Sequence, residues 1–346
     1  MSVLIFSNEE LEVLFDVINS LKICFHPKFA PDGKFKIFDR ELSKKEIIIF
    51  ADNNIISPIC EIAHKGSLKN EDRLRKISAF VLWTKYINAR ITCGLGLLEN
   101  DTANLSGVSS EYNRMRFLYA VDKIPPIVWK NLAFGLIDSV PDVFLYNQDY
   151  VPKVDYNFQD NRILLSIEAA LIHISRLCKY RGMDGFNKFI HFFNWYTDNL
   201  EIGDCLMFYS AALFADIESV AMPKGIGSKD YNRIVKGIKN QAWDLAYLAF
   251  WSTFYYNESE EKCYMFATDD NTQKIISVNI IPPGQCNNAI YSIFHTKKQQ
   301  QQLEDIFAAK LGNNRINPFS NMSESEIINK IKSIIEDEYG KLKNEI

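Results

Sequence analysis

Apolar positions recur at helical spacing along most of the chain. Between residues 7 and 23, Leu11, Leu14, Phe15, Ile18 and Leu21 share one face, and Ser7 with Glu10 has the spacing of a capping box. Residues 69–90 repeat the pattern through Leu74, Ile77, Phe80, Val81, Tyr86 and Ile87. The same periodicity predicts helices over 91–100, 109–121, 159–181, 184–200, 204–221 and 231–257, the last broken near Gly237. Pro125 and Pro126 open another, since proline suits a first helical turn. A final helix starts at Ser323, is capped by Glu326 and aligns Ile327, Ile328, Ile331, Ile334, Ile335 and Leu342. It is expected to dock on the protein's own core. Residues 25–42 and 223–230 read as loops and 140–157 as a long connection.

Three segments break this rhythm. EIIIFA (46–51) is too short for a helix and rich in isoleucine, so it predicts a strand. CYMFAT (263–268) predicts a second, and IISVNII (275–281) a third. The first two end alike, in FADNN and FATDD. No internal repeat is visible.

Composition narrows the class. The chain has 24 Phe and 16 Tyr against only 15 Gly and 11 Pro, which favours a large helical core over a loop-rich all-β one. A net charge of −4 gives no global basicity, so any nucleic-acid contact must rest on local patches. The 7 cysteines are scattered, with no CxxC and no zinc-ligand spacing. The start, MSVLIFSNEELEVLF, carries acids where a signal peptide needs basic residues. No apolar run reaches the ~18 residues of a membrane span. The expectation is a soluble cytoplasmic protein that does not enter a membrane.

The two acid-ended strands carry the candidate chemistry. In an open parallel sheet, ligands bind beyond the carboxyl ends of the strands. Carboxylates gathered there repel one another, and a hard divalent cation relieves the repulsion. Asp and Asn are also ordinary turn residues, because they hydrogen-bond their own backbone. A third acid, Asp244, lies in NQAWDLAYLAFWSTFYY (240–256), whose helix leads directly into the second strand. It is either an acid placed for the helix dipole or a group delivered to the same rim.

These segments resemble the PIN-domain ribonucleases: a strand ending Asp52-Asn53-Asn54 with Ser57 after it, a helix led by Asp244-Leu245-Ala246, and a strand ending Thr268-Asp269-Asp270. The resemblance covers about 45–120 and 231–285. It implies a helix-rich α/β fold with a three-layer core around a short central parallel sheet. It further implies that Asp52, Glu99, Asp244 and Asp269, with Asp270, hold Mg²⁺ or Mn²⁺. Asn54 and Thr268 would orient the carboxylates from behind. Glu61, Glu111 and Glu168 are alternatives to Glu99. The gap from Glu99 to Asp244 is much longer than in small PIN domains. The expected organisation is therefore 1–121 as the first part of the core, 122–230 as a mainly helical insertion, 231–285 as the second part and 286–346 as a C-terminal helical extension.

The implied activity is a metal-dependent endonuclease, acting on RNA more than DNA, as a toxin or host-defence effector restrained by an antitoxin or sensor protein. Lys65, Lys69, Arg73, Lys76, Lys236 and Lys239 are the candidate phosphate contacts; the segment 64–90 also reads as an ordinary solvated helix face. A haloacid-dehalogenase phosphatase would need an Asp where Asn54 stands. The remaining alternative is a non-catalytic helical interaction module on a degenerate PIN-like core.

Overall fold

Thirteen α-helices and four short strands make up the described part of the computed structural model, which covers residues 6–94, 96–97, 108–147, 160–280, 285–312 and 317–346. The protein is a helix-rich α/β chain with one small mixed sheet. It divides into two compact units: Met1–Phe158 with Phe250–Asp270, and Gln159–Ala249 with Asn271–Ile346.

The first unit holds the sheet. Strands β1 (Cys24–Phe25), β2 (Glu46–Ala51), β3 (Arg90–Thr92) and β4 (Lys262–Ala267) lie in the order β1-β4-β2-β3. β2 pairs in parallel with both β3 and β4, whereas β1 runs antiparallel to β4. In β2, Ile47, Ile49 and Ala51 turn into the core while the alternate positions are more exposed, as a period of two requires. Helix α1 (Asn8–Leu21) starts on the Ser7–Glu10 capping box that the sequence predicts. Helices α2 (Asn53–Lys65), α3 (Glu71–Tyr86), α4 (Val108–Lys123) and α5 (Pro126–Ala133) complete the unit. Trp83, Trp129 and Trp251 form its largest fully buried anchors.

The second unit is helical among its described residues: α6 (Arg162–Lys179), α7 (Gly185–Asn199), α8 (Asp204–Phe214), most of α9 (Tyr231–Tyr256), α10 (Asn271–Ile280), α11 (Gln285–Ile293), α12 (Lys297–Leu311) and α13 (Glu324–Asn344). The last packs along α6 and begins on the Ser323–Glu326 capping box.

Several expectations need correction. Residues 275–280 are helical, not a strand, and Ile281 lies outside the described residues: Thr272, Gln273, Ile276, Ser277 and Ile280 are the buried positions of α10, a helical spacing. The expected helix at 91–100 begins instead as β3, whose Ile91 sits opposite Ile49 of β2. Helix 204–221 stops at Phe214. α11 and α12 are additional to the predicted set. Residues 122–147 group with the first unit, because Val128, Trp129 and Leu132 of α5 enter the same core as α3. Residues 231–249 group with the second.

Helix α9 is unbroken at Gly237. The glycine serves close packing: a Cβ there would come within 1.6 Å of the Lys224 carbonyl oxygen. Gly237→Ala is expected to destabilise the protein by about 1–3 kcal/mol through overpacking, read by urea unfolding. An unchanged midpoint would mean that the 223–226 loop moves aside at no cost.

Candidate functional site: the rim of β2 and β4

The rim is built where two parallel strands end in register. Ala51 of β2 lies opposite Ala267 of β4, and the ladder continues one step as the Asp52 N–H donates to the Ala267 carbonyl at 2.8 Å. Asp52 and Thr268 therefore leave the sheet side by side. The chain turns at once into α2, with Asp52 as its N-cap. An acid suits that position, because it accepts from the orphan N–H groups and opposes the helix dipole.

Asp52 is 2 % exposed. Its Oδ1 accepts the Asn53 N–H at 2.6 Å, and its Oδ2 accepts the Asn54 amide and, at 3.0 Å, the Thr268 hydroxyl. Asn54 also donates to Thr268 Oγ1 at 3.1 Å and accepts the Asp269 N–H at 2.9 Å. Thr268 Oγ1 accepts the Asp270 N–H at 3.0 Å. Thus Asn54 spends both amide hydrogens and its oxygen, and Thr268 its donor and both acceptor sites. The network fixes the Asn54 amide orientation and ties the end of β2 to the end of β4. Asn54 and Thr268, the two residues expected to orient the carboxylates, both bond Asp52.

The other expected site residues are distributed more widely. Asp269 is exposed and Asp270 half-buried, both following Thr268 on the same rim. Asp244 belongs to the second unit and lies in the middle of α9, not in its first turn, because the helix starts at Tyr231. It is half-buried, and its backbone carbonyl accepts from the Gln273 amide at 3.0 Å. Glu99 lies outside the described residues. Of its alternatives, Glu111 is fully buried against Arg114, Glu61 pairs with Lys65, and Glu168 accepts the Tyr339 hydroxyl.

The basic residues split in the same way. Arg73 is exposed and donates to the Asn54 carbonyl at 3.1 Å, which brings a guanidinium to the rim. Lys69 is exposed just before α3. Lys65 pairs with Glu61 and Lys76 with Asp72, both one helical turn apart, so this stretch carries interleaved signs. Lys236 and Lys239 are exposed on α9 in the second unit.

Among the described residues, one trio brings three metal-type ligand atoms within 4.8 Å of one another, and it is not the rim: it is His26, Glu258 and Cys263. Their hydrogen bonds argue for a structural role. His26 Nδ1 accepts the N–H groups of Lys28 and Phe29, at 3.1 and 3.2 Å. The neutral ring therefore carries its proton on Nε2 and donates it to Glu258 at 3.2 Å. A metal on Nε2 would need the proton on Nδ1, facing two donors. Glu258 also accepts the Tyr264 N–H, and burial pushes the Cys263 thiol well above its usual range. The trio locks the turn before β4 to the loop after β1. His26 lies 232 residues from Glu258, so no local motif announces the trio.

No family model matches the chain, and comparison with curated proteins and with solved structures finds no similar protein.

Among the described residues, no helix is long and apolar enough to cross a membrane.

Proposed function

We propose that the protein is a metal-dependent endonuclease cleaving phosphodiester bonds, in RNA more than in DNA, with the β2–β4 rim as its catalytic edge. One observation carries the reading: Asp52 is held at the end of β2 by Asn54 and by Thr268 from the adjacent parallel strand, with Asp269 and Asp270 following. These are the two acid-ended strands on which the sequence resembles the PIN-domain ribonucleases.

The donor set suits the proposed ion. All its atoms are carboxylate oxygens, and Mg²⁺ is commonly held by one or two carboxylates plus waters. Asp52 with Asp269 or Asp270 would hold Mg²⁺ or Mn²⁺. Asp244 and Glu99 are the further acids implied by the resemblance, and each is tested by its own substitution. Bound there, the ion would lower the pKa of a water and offset charge on the leaving oxygen. The chain's own residues do the positioning. Asn54 and Thr268 hold one edge of the Asp52 carboxylate, and Arg73 and Lys69 offer cations to a phosphate backbone. A toxin or host-defence role, with an antitoxin or sensor partner in the cytoplasm, goes with this activity.

The test is cleavage of labelled RNA and DNA with Mn²⁺, with EDTA, and by Asp52→Asn. Cleavage should need the metal and fall at least roughly tenfold in the variant, as loss of a group acting in the transition state does. Cleavage indifferent to both would end the proposal. A second reading, a non-catalytic interaction module, draws support from one observation: Asp52 already serves as a helix cap and strand tie. Absence of cleavage of either nucleic acid with Mn²⁺ would favour it.

A further inference from the structure

The second unit contains a polar cluster that the rim does not use. Glu338 of α13 is 1 % exposed, yet its Oε2 accepts from His173 Nδ1 at 3.0 Å and from Arg176 Nη1 at 2.8 Å, both on α6. Lys341 approaches its Oε1 at 3.3 Å. A carboxylate so surrounded is ionised and can only accept. His173 Nδ1 must therefore carry a hydrogen, which leaves Nε2 of the neutral ring as an acceptor. That atom lies 3.4 Å from His191 Nδ1 on α7. The two imidazoles are within 14° of parallel, so the chain of bonds reads Glu338 ← His173 ← His191. His191 Nε2 is then left with its lone pair. His173 cannot swing away, because its ring stacks on Trp195 with centroids 4.1 Å apart and planes within 5°.

The chain ends at a cavity. A pocket of about 380 Å³ is lined by both histidines and by Leu177, Lys179, Tyr180 and Met183. That is the size of a small-molecule site. Its wall combines apolar side chains with the cation of Lys179. Arg176 and Glu345 also line it, but they are bonded to each other.

We infer that Glu338, His173 and His191 form a proton relay that makes His191 Nε2 a general base for hydrolysis of a small carboxylic ester in this pocket. The step balances without a further reactant. Water gives a proton to His191 Nε2 while its oxygen bonds the acyl carbon. The His191 Nδ1 hydrogen passes to His173 Nε2, and the resulting imidazolium faces the Glu338 carboxylate. The acyl–oxygen bond breaks, and the departing alkoxide takes the proton back along the same path. Lys179 lies on the pocket wall to offset the oxyanion. His191 would be the catalytic residue; His173 and Glu338 act through it. The groups facing the relay are Glu338 and Lys341 from α13, Glu345 just after it, and Arg176 and Lys179 from α6. This activity is independent of the rim and of any metal.

The test uses the full chain with p-nitrophenyl acetate in EDTA, which separates it from failure of the nuclease reading. Hydrolysis should exceed that of an equal concentration of imidazole by roughly tenfold or more. It should be lost in His191→Gln and kept in His64→Gln, a surface histidine of the first unit. A rate no higher than imidazole, or one retained in His191→Gln, overturns the proposal. Glu338→Gln and His173→Gln could lose activity by loosening the fold, so a second measurement uses the wild type alone. Nitrogen NMR of the imidazoles should find hydrogen on Nδ1 of both His173 and His191. Hydrogen on His191 Nε2 instead would overturn the relay.

Discussion

Replacing Glu338 by alanine should destabilise the second unit by about 3 kcal/mol, the lower end of the cost of breaking a buried ion pair. The carboxylate is buried where α13 packs along α6, and three donors converge on it. Truncation would leave His173 Nδ1 without its acceptor inside the core. Arg176 would keep Glu345, which is why the lower end of the range applies. Glu338→Gln keeps an acceptor oxygen and should cost about 1–2 kcal/mol. Acid should erase much of the difference. Burial alone would raise the Glu338 pKa, but the bonds from His173 and Arg176 outweigh it and hold the group down to about 2, against an ordinary value of 4.5. A depressed carboxylate contributes stability above the unfolded value and loses it as pH falls through the folded one. The contribution of the Glu338 charge to the gap between wild type and Glu338→Ala should therefore be complete above pH 4.5 and fade towards pH 2. Burial also lowers the His173 pKa below 6.5, so charging this imidazole adds a loss in the same direction at higher pH. Urea midpoints measured across pH 2–7 would read both. A gap that does not change between pH 4.5 and 2 would rule out an ionised Glu338 as the anchor of α13.

Replacing Asp52 by alanine should cost the first unit about 2–4 kcal/mol, the sum of a lost N-cap and of orphaned buried donors. The carboxylate caps α2 and receives the Asn54 amide and the Thr268 hydroxyl at a position almost closed to water. Asp52→Asn retains one acceptor oxygen and the same shape but turns its N–H₂ to a donor on one edge, so it should cost less than the alanine and more than nothing. The pair of variants separates fold from chemistry. A stable Asp52→Asn without nuclease activity assigns the carboxylate a chemical task. Equal destabilisation by both would show that the charge itself ties β2 to β4. Thr268→Val should reproduce part of the Asp52→Ala loss, since it removes the donor from the other strand.

Legibility in the sequence followed the range of the interactions. Helix starts set by local chemistry could be read directly: Ser7 with Glu10 and Ser323 with Glu326 form the capping boxes their spacing announced. So could the boundaries of β2, where isoleucine packing stops at Asp52. The pairing of Asn54 with Asp52 is also local, two residues apart, and was expected from the motif. Where local signal was ambiguous, tertiary packing decided. IISVNII is apolar enough for a strand, but its buried positions follow a helical period. Gly237 looked like a helix break and is instead a point of close approach by Lys224. Asp244, read either as a first-turn acid or as a rim group, lies in the middle of α9.

By itself, then, the sequence determined a helix-rich α/β protein, its capped helices and two acid-ended strands, because capping, periodicity and strand propensity act within a few residues. The tertiary structure alone decided that β2 and β4 are parallel neighbours in register, which makes Thr268 a partner of Asp52. It also decided that a glutamate could occupy the buried face of α13 beside Ile331 and Leu342. Helical periodicity expects an apolar residue there, and only the arrival of His173 and Arg176 from α6 offsets the desolvation of that charge.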